Sequence, residues 1–199
     1  MLEVNTYLLY NNNEAIVIDC ACFYQHEKEQ LKNFIHNEGF TLKYVLNTHL
    51  HFDHVFGNQF LLDQYGIGPM AHAADEFLND TSFAQMMGLQ LNDPFAKISA
   101  YLSDNQILSW SGPEIKVLHV PGHSPGGLAF YCQSEKCLFS GDTLFNQSIG
   151  RSDLPGGNHN QLLESIKTKL MALPDDVVVY PGHGPATTIG GERRNNPFL

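Results

Sequence analysis

Residues 48–54 read Thr48-His49-Leu50-His51-Phe52-Asp53-His54. Three imidazoles and one carboxylate follow directly on Tyr44–Leu46, an apolar run that reads as a buried strand ending at Asn47-Thr48. Imidazole with carboxylate is the donor set of zinc, iron and related ions, so a cluster this dense reads as a metal site at a strand end. Alternate residues of an extended chain share a face, so His49, His51 and Asp53 are expected to point the same way. His54 falls where the chain turns into a helix.

Further candidates each follow an expected strand. His123 closes Pro121-Gly122-His123 after Ile115–Val120, Asp142 follows Lys136–Phe139, and His183 closes Pro181-Gly182-His183 after Val177–Tyr180. Pro and Gly force a turn just past a strand, which presents the next side chain at a sheet edge. His49, His51, Asp53, His54, His123, Asp142 and His183 make seven ligands, too many for one tetrahedral ion. Two divalent ions sharing one carboxylate fit better, with an open position for a bridging water that loses its proton near pH 7. No Cys belongs to the set, which disfavours a purely structural zinc site. The remaining histidines have plain readings: His26 and His36 as solvated helix surface, His72 as a rim or capping residue, His119 as strand filling, His159 beside a helix cap at Asn158.

Composition narrows the setting. The chain has 199 residues, 43% hydrophobic and 16% charged, which suits one globular domain spanning residues 1–199. Its net charge of −10 argues against a nucleic-acid binder. Neither a signal peptide nor an apolar run of the ~20 residues needed to cross a bilayer is visible, so a cytoplasmic enzyme with a small-molecule substrate and no membrane partner is expected. Four Cys are too sparse for a disulfide scaffold. Strands are expected over Thr6–Tyr10, Ala15–Ile18, Gln106–Trp110 and Leu128–Cys132 besides those above. Helices are expected over Gln25–Glu38, Phe56–Tyr65, Ala73–Leu91 and Gln161–Leu173. Two stacked sheets with helices outside fit this α/β order better than a doubly wound parallel sheet.

The pattern from Thr48 to His54, with His123, Asp142 and His183 downstream, resembles the metallo-β-lactamase superfamily over nearly the whole chain. The resemblance implies a four-layer αββα sandwich with metals at one edge of the sheets. It implies His49, His51 and His123 on one metal, Asp53, His54 and His183 on the other, and Asp142 bridging. Ser148–Gly157 and Pro181–Gly190 are similar to short relatives of glyoxalase II, the hydroxyacylglutathione hydrolases. Glyoxalase II proper carries a C-terminal helical extension with basic residues for glutathione, whereas here 16 residues follow His183, with Arg193 and Arg194 as their basic members.

The activity implied is metal-dependent hydrolysis of a small thioester, with Asp53 orienting or deprotonating the nucleophile. A thiolate leaves readily, because a thiol pKa is only about 8.5. Zinc is the expected metal, with iron or manganese as alternatives. Arg151 is a candidate for a substrate carboxylate, against a structural salt bridge. Phe83, Met86, Met87 and Phe95 are an apolar wall over the site or ordinary core. Asp19 is expected beneath the metals as acceptor for a ligand histidine. Asp19-Cys20-Ala21-Cys22 stands where relatives often have Asp-Pro-Gly; Cys20 and Cys22 are redox-sensitive, metal-contacting, or small buried residues. The rival activities are a persulfide dioxygenase using a single iron and a lactonase of the same fold.

Overall fold

The stretch Ala15–Ile18 is apolar without interruption, the mark of a strand covered on both faces. In the computed structural model, which describes residues 3–86, 88, 89, 91 and 94–199, it belongs to a strand at the heart of the first of two sheets. β1 (Tyr7–Asn11) pairs antiparallel with β2 (Glu14–Ile18) through a turn in which Asn12 adopts φ 49°. α1 (Gln25–Asn37) leads to β3 (Thr41–Leu46), which runs parallel to β2. Two short helices, α2 (Phe52–Val55) and α3 (Asn58–Tyr65), precede β4 (Pro69–Ala71). A 3-10 turn over Ala73–Leu78 and α4 (Thr81–Met86) precede β5 (Ala100–Tyr101), which completes a sheet in the order β1-β2-β3-β4-β5.

The second sheet is laid down by β6 (Ile107–Leu108), β7 (Ile115–His119), β8 (Leu128–Cys132) and β9 (Cys137–Gly141), all antiparallel to their neighbours in sequence. A small hairpin of β10 (Leu144–Phe145) and β11 (Ser148–Ile149) follows. α5 (His159–Ser165) runs on into a π-helical turn over Ile166–Leu170, and then come β12 (Val178–Pro181), β13 (Thr187–Thr188) and α6 (Ile189–Asn195). β12 inserts parallel to β9, so the order is β13-β12-β9-β8-β7-β6.

Side-chain alternation sorts the core into layers. Ile16, Ile18 and Leu46 meet Phe130 and Phe139 between the sheets. Val17 and Val45 point the other way, onto Leu31 of α1 and Leu61 of α3. Ala129, Leu138 and Val179 turn outward onto Leu162 of α5, Ile166 and Leu170. Helix, sheet, sheet and helix are therefore held by three apolar seams, the αββα sandwich.

Two expected helices are interrupted. The one expected from Phe56 starts at Asn58, with Gly57 as its N-cap at φ −91° and ψ −2° and the Gly57 amide held by the Cys20 carbonyl at 2.8 Å. The one expected over Ala73–Leu91 is split at Asn79-Asp80, where the Asp80 carboxylate accepts from the Ser82 amide. Strands β4, β5, β10, β11 and β13, each of two or three residues, escape periodicity altogether, since only their pairing partners define them.

Candidate metal centre

Five strands end at one edge of the sandwich, and each delivers a polar side chain there. β2 ends at Asp19, β3 at Thr48 and His49, β7 at the loop carrying His123, β9 at Asp142 and β12 at the loop carrying His183. The Leu128 amide donates to the Thr48 carbonyl at 2.7 Å, tying the two sheets together at this edge.

Most of the histidines are anchored by the ring nitrogen that faces away from the centre. His123 Nδ1 donates to the Arg151 carbonyl at 2.7 Å and His183 Nδ1 to the Glu3 carbonyl at 2.6 Å. His54 Nδ1 meets Asp19 Oδ2 at 3.0 Å. His49 Nδ1 meets Thr48 Oγ1 at 3.0 Å, and that hydroxyl in turn donates to Asp19 Oδ2 at 2.6 Å. An N–H fixed at Nδ1 leaves the Nε2 lone pair of a neutral ring pointing inward. His51 is the exception, facing inward through Nδ1, 2.9 Å from His123 Nε2.

The inward atoms form two groups, His49 with His51 and His123, and Asp53 with His54 and His183, each with ligand atoms within 4.8 Å of one another. Asp142 lies between them: its carboxylate is 3.5 Å from His54 Nε2, 3.7 Å from His123 Nε2 and 3.5 Å from His183 Nε2. Extended-chain alternation is right for His49 and His51 but not for Asp53. Residues 52–55 are helical, so Asp53 turns to the second group and stands 3.5 Å from His183 Nε2. Buried His54 Nε2 and Asp142 Oδ1 have no hydrogen-bond partner, and His51 Nδ1 faces His123 Nε2 across 2.9 Å. Lone pairs converging on one another fit a divalent cation and little else.

Space is reserved for this arrangement. A Cβ on Gly182 would collide with Asp142 and come within 2.7 Å of His54, while one on Gly122 would strike the backbone of Leu162 in α5. The two Pro-Gly-His loops thus need glycine for different reasons, one for the ligand cluster and one for a helix.

The description "metallo-beta-lactamase superfamily" matches residues 2–183 as a family model. The chain belongs to this superfamily. It is 39% identical to hydroxyacylglutathione hydrolase GloC of Haemophilus influenzae over 87% of this chain and 83% of that protein. Among solved structures, BLEG-1 B3 metallo-beta-lactamase superposes with a TM-score of 0.87 at 37% identity, covering 100% of this chain and 95% of that one. TTHA1623, solved in a di-iron-bound form, superposes with a TM-score of 0.85 at 37% identity, covering 100% and 96%. No helix among the described residues is long and apolar enough to cross a membrane.

Around this superfamily centre, the structure adds a residue that the sequence did not flag. Asp75 is fully buried and accepts from Ser124 Oγ at 2.7 Å, from the Gly126 amide at 2.5 Å and from the Leu50 amide. One carboxylate thereby ties the His49–His54 segment to the His123 loop. Its signal in sequence is an acid in a helical-looking stretch, which is indistinguishable from surface charge. His119 also serves that loop, stacking on His72 with ring centroids 4.1 Å apart and contacting the Pro125 carbonyl at 3.0 Å. His72 caps the 3-10 turn, and Asn158 caps α5 beside His159.

Arg151 lies at the surface, its guanidinium bidentate on Asp153 at 2.7 Å through both nitrogens, while its carbonyl orients His123. Phe95 packs against the small core of Leu50, Val55 and Ala71 rather than over the site. Met87 and the side chains of Phe83 and Met86 lie outside the described residues. A cavity of about 200 Å³ beside His51 is lined instead by Phe52, Phe77, Leu78, Pro155, Asp80 and Ser82.

Charge at the centre is uneven. Burial, reinforced by neighbouring imidazoles, holds His49 well below the ordinary histidine range and His51 down to about 4. His54 is also buried, but Asp142 and Asp19 overcome this and hold its pKa well above the usual value. Asp142, despite burial, is brought to about 2 by His54 and its neighbours. In the metal-free protein His49 and His51 bind protons more weakly folded than unfolded. The contribution of His51 is present above pH 6.5 and lost as pH falls toward about 4, and that of His49 has the same sign. His54 has the opposite sign, and its contribution is already complete below pH 6.5, so it adds no slope in that window. Urea denaturation of metal-free protein should show stability falling by roughly 3 kcal/mol from pH 7 to pH 4, from His51 alone. A flat profile would contradict the burial of these rings.

Proposed function

We propose that this chain is a hydrolase of small thioesters working with two divalent cations. His49, His51 and His123 would hold one, Asp53, His54 and His183 the other, and Asp142 would serve both. The observation that carries this reading is the pair of inward-facing donor groups with a shared carboxylate between them. The likeness to GloC supports the substrate class. Zinc is the expected ion, with iron the alternative that the di-iron form of TTHA1623 recommends. The chemistry that bound cations supply is Lewis acidity, which polarises a carbonyl oxygen and brings the pKa of a water close to neutral.

The chain's own residues do the rest. Burial works against the charge of Asp53, but its contact with His183 keeps its pKa below the ordinary carboxylate value, so it is an anion at neutral pH. An anionic Asp53 can accept a proton from the attacking water through Oδ1 or Oδ2 and hold it in line with the carbonyl carbon. His183 and Asp142 restrain that carboxylate and its surroundings from the other side. The departing sulfur needs no acid, because a thiolate is stable enough to leave unprotonated. The cavity beside His51, with its apolar Phe52, Phe77, Leu78 and Pro155, suits a compact acyl or thiol group and shields it from bulk water. Arg151 would bind an anionic substrate only by exchanging Asp153 for the substrate carboxylate.

The test is metal analysis of the purified protein with hydrolysis assays on S-lactoylglutathione and on small acyl thioesters. About two metals per chain with thioester turnover is the expected result. One iron per chain with oxygen uptake on a persulfide would establish the dioxygenase reading instead, and turnover confined to lactones would establish a lactonase.

A further inference from the structure

The four cysteines sit in two pairs. Cys132 and Cys137 are register partners across β8 and β9, far along the sandwich from the metal centre. Cys20 and Cys22 lie on the non-helical segment directly after β2, immediately beyond Asp19. The two thiols lie close enough that each shifts the other, Cys20 upward and Cys22 downward. Both also converge on Gly57: a Cβ there would collide with the Cys20 sulfur and stand 3.2 Å from the Cys22 Cβ.

We propose that Cys20 and Cys22 are a modification site, a dithiol that a hydroperoxide converts to a reversible disulfide, loosening the metal centre through Asp19.

Access favours this direction of attack. Cys22 lines a cavity of about 350 Å³ between β1 and α1, with Thr6, Leu8, Glu27 and Leu31 among its walls, whereas Cys20 is wholly buried behind it. The Cys20 thiol also holds Cys22 below the ordinary thiol range, which favours thiolate at the cavity side. The Cys22 thiolate sulfur attacks one peroxide oxygen and the O–O bond breaks. An alcohol, or water from hydrogen peroxide, departs and leaves a sulfenic acid on Cys22. The Cys20 sulfur then attacks the Cys22 sulfur, the S–S bond forms, the S–O bond breaks, and water leaves with the Cys20 proton. Two thiols lose two electrons in total and one hydroperoxide gains them.

The consequence follows from how the segment is fastened. Asp19 has φ 51°, an unfavourable conformation for a residue with a Cβ, and its carboxylate holds the Thr48 amide at 2.7 Å as well as the Thr48 hydroxyl and His54. The Cys20 carbonyl holds the Gly57 amide just beyond α2, and Thr6 Oγ1 braces the Asp19 carbonyl and the Ala21 amide at 2.8 and 3.0 Å. Extended residues two apart have Cα atoms about 6.6 Å apart. This is the long end of the disulfide range of about 4.4–6.8 Å. Closing the bridge pins the Cys20 and Cys22 Cα atoms within that range and, in this proposal, shifts the segment between Asp19 and Gly57 so that the Asp19 carboxylate is drawn from His54. The coupling rests on the metal reading above, but bridge formation does not.

The experiment uses full-length Cys132→Ser/Cys137→Ser protein in its metal-loaded form, treated with hydrogen peroxide and then with dithiothreitol. Intact mass and peptide mapping should show a loss of about 2 Da confined to the peptide holding Cys20 and Cys22, reversed by the reductant. Metal affinity, measured by chelator competition, should fall about 10-fold to 100-fold on oxidation and recover on reduction. Cys22→Ser should show neither change, and Cys20→Ser should stop at a sulfenic acid. If either variant fails to fold, the mass and metal readouts on the parent protein still decide. Absence of the bridge, irreversible oxygen addition to Cys22 in its place, or a bridge that leaves metal affinity unchanged would each overturn the proposal.

Discussion

Asp142→Ala should lower kcat/KM on a thioester by roughly three orders of magnitude and reduce metal content from about two ions to about one. Asp142 is the anion that faces both donor groups, within 3.5–3.7 Å of His54, His123 and His183. Its pKa of about 2 keeps it charged at every pH at which the enzyme would work. Without it, Asp53 is the remaining carboxylate among the proposed ligands, to be shared between two divalent charges. The loss should appear chiefly in kcat, because the cavity beside His51 that receives the substrate does not include Asp142. Steady-state kinetics with metal analysis of the same preparation checks this. A variant retaining both metals and full turnover would remove Asp142 from the site.

Asp75→Ala should cost about 3 kcal/mol of stability, which lowers Tm by roughly 6–12 °C in a chain of this size. The side chain is fully buried, and its removal strands the Ser124 hydroxyl and the Gly126 and Leu50 amides without their acceptor. A buried donor left unsatisfied costs more than the hydrogen bond itself contributed. The damage should reach the centre, since Ser124 adjoins His123 and Leu50 lies between His49 and His51. Asp75→Asn keeps the shape and one acceptor oxygen, so it should fall between the two. Thermal unfolding of the three metal-free proteins measures the series, and an Asp75→Ala protein as stable as the parent would refute the role given to this carboxylate.

The donors themselves were legible because each follows a feature that sequence displays well. His49, His51 and His54 crowd behind an apolar run, and His123 and His183 each close a Pro-Gly turn. Asp19 was legible beneath the site through the family resemblance, which places an acid at that position. Alternation alone puts Asp53 on the face of His49 and His51, whereas the family resemblance groups it with His54 and His183, toward which the helix that begins at Phe52 rotates it. Asp75 was invisible, since nothing local distinguishes a buried acid from an exposed one. Strands β4, β5, β10, β11 and β13 were missed for a related reason: two or three residues carry no period, and it is the neighbouring strand that makes them strands.

By itself, then, the sequence determined the layered α/β architecture and the chemical nature of the centre, through local periodicity, turn residues and the density of imidazole. The tertiary structure alone decided which ring nitrogen each histidine presents, and that Asp75 and the Cys20–Cys22 segment brace the centre. Those properties depend on contacts between residues from about 30 to 180 positions apart along the chain, such as Asp19 with Thr48 and Glu3 with His183. Pattern along a chain records which face a residue takes within its own element, while its partner on another element is set only when the two sheets pack.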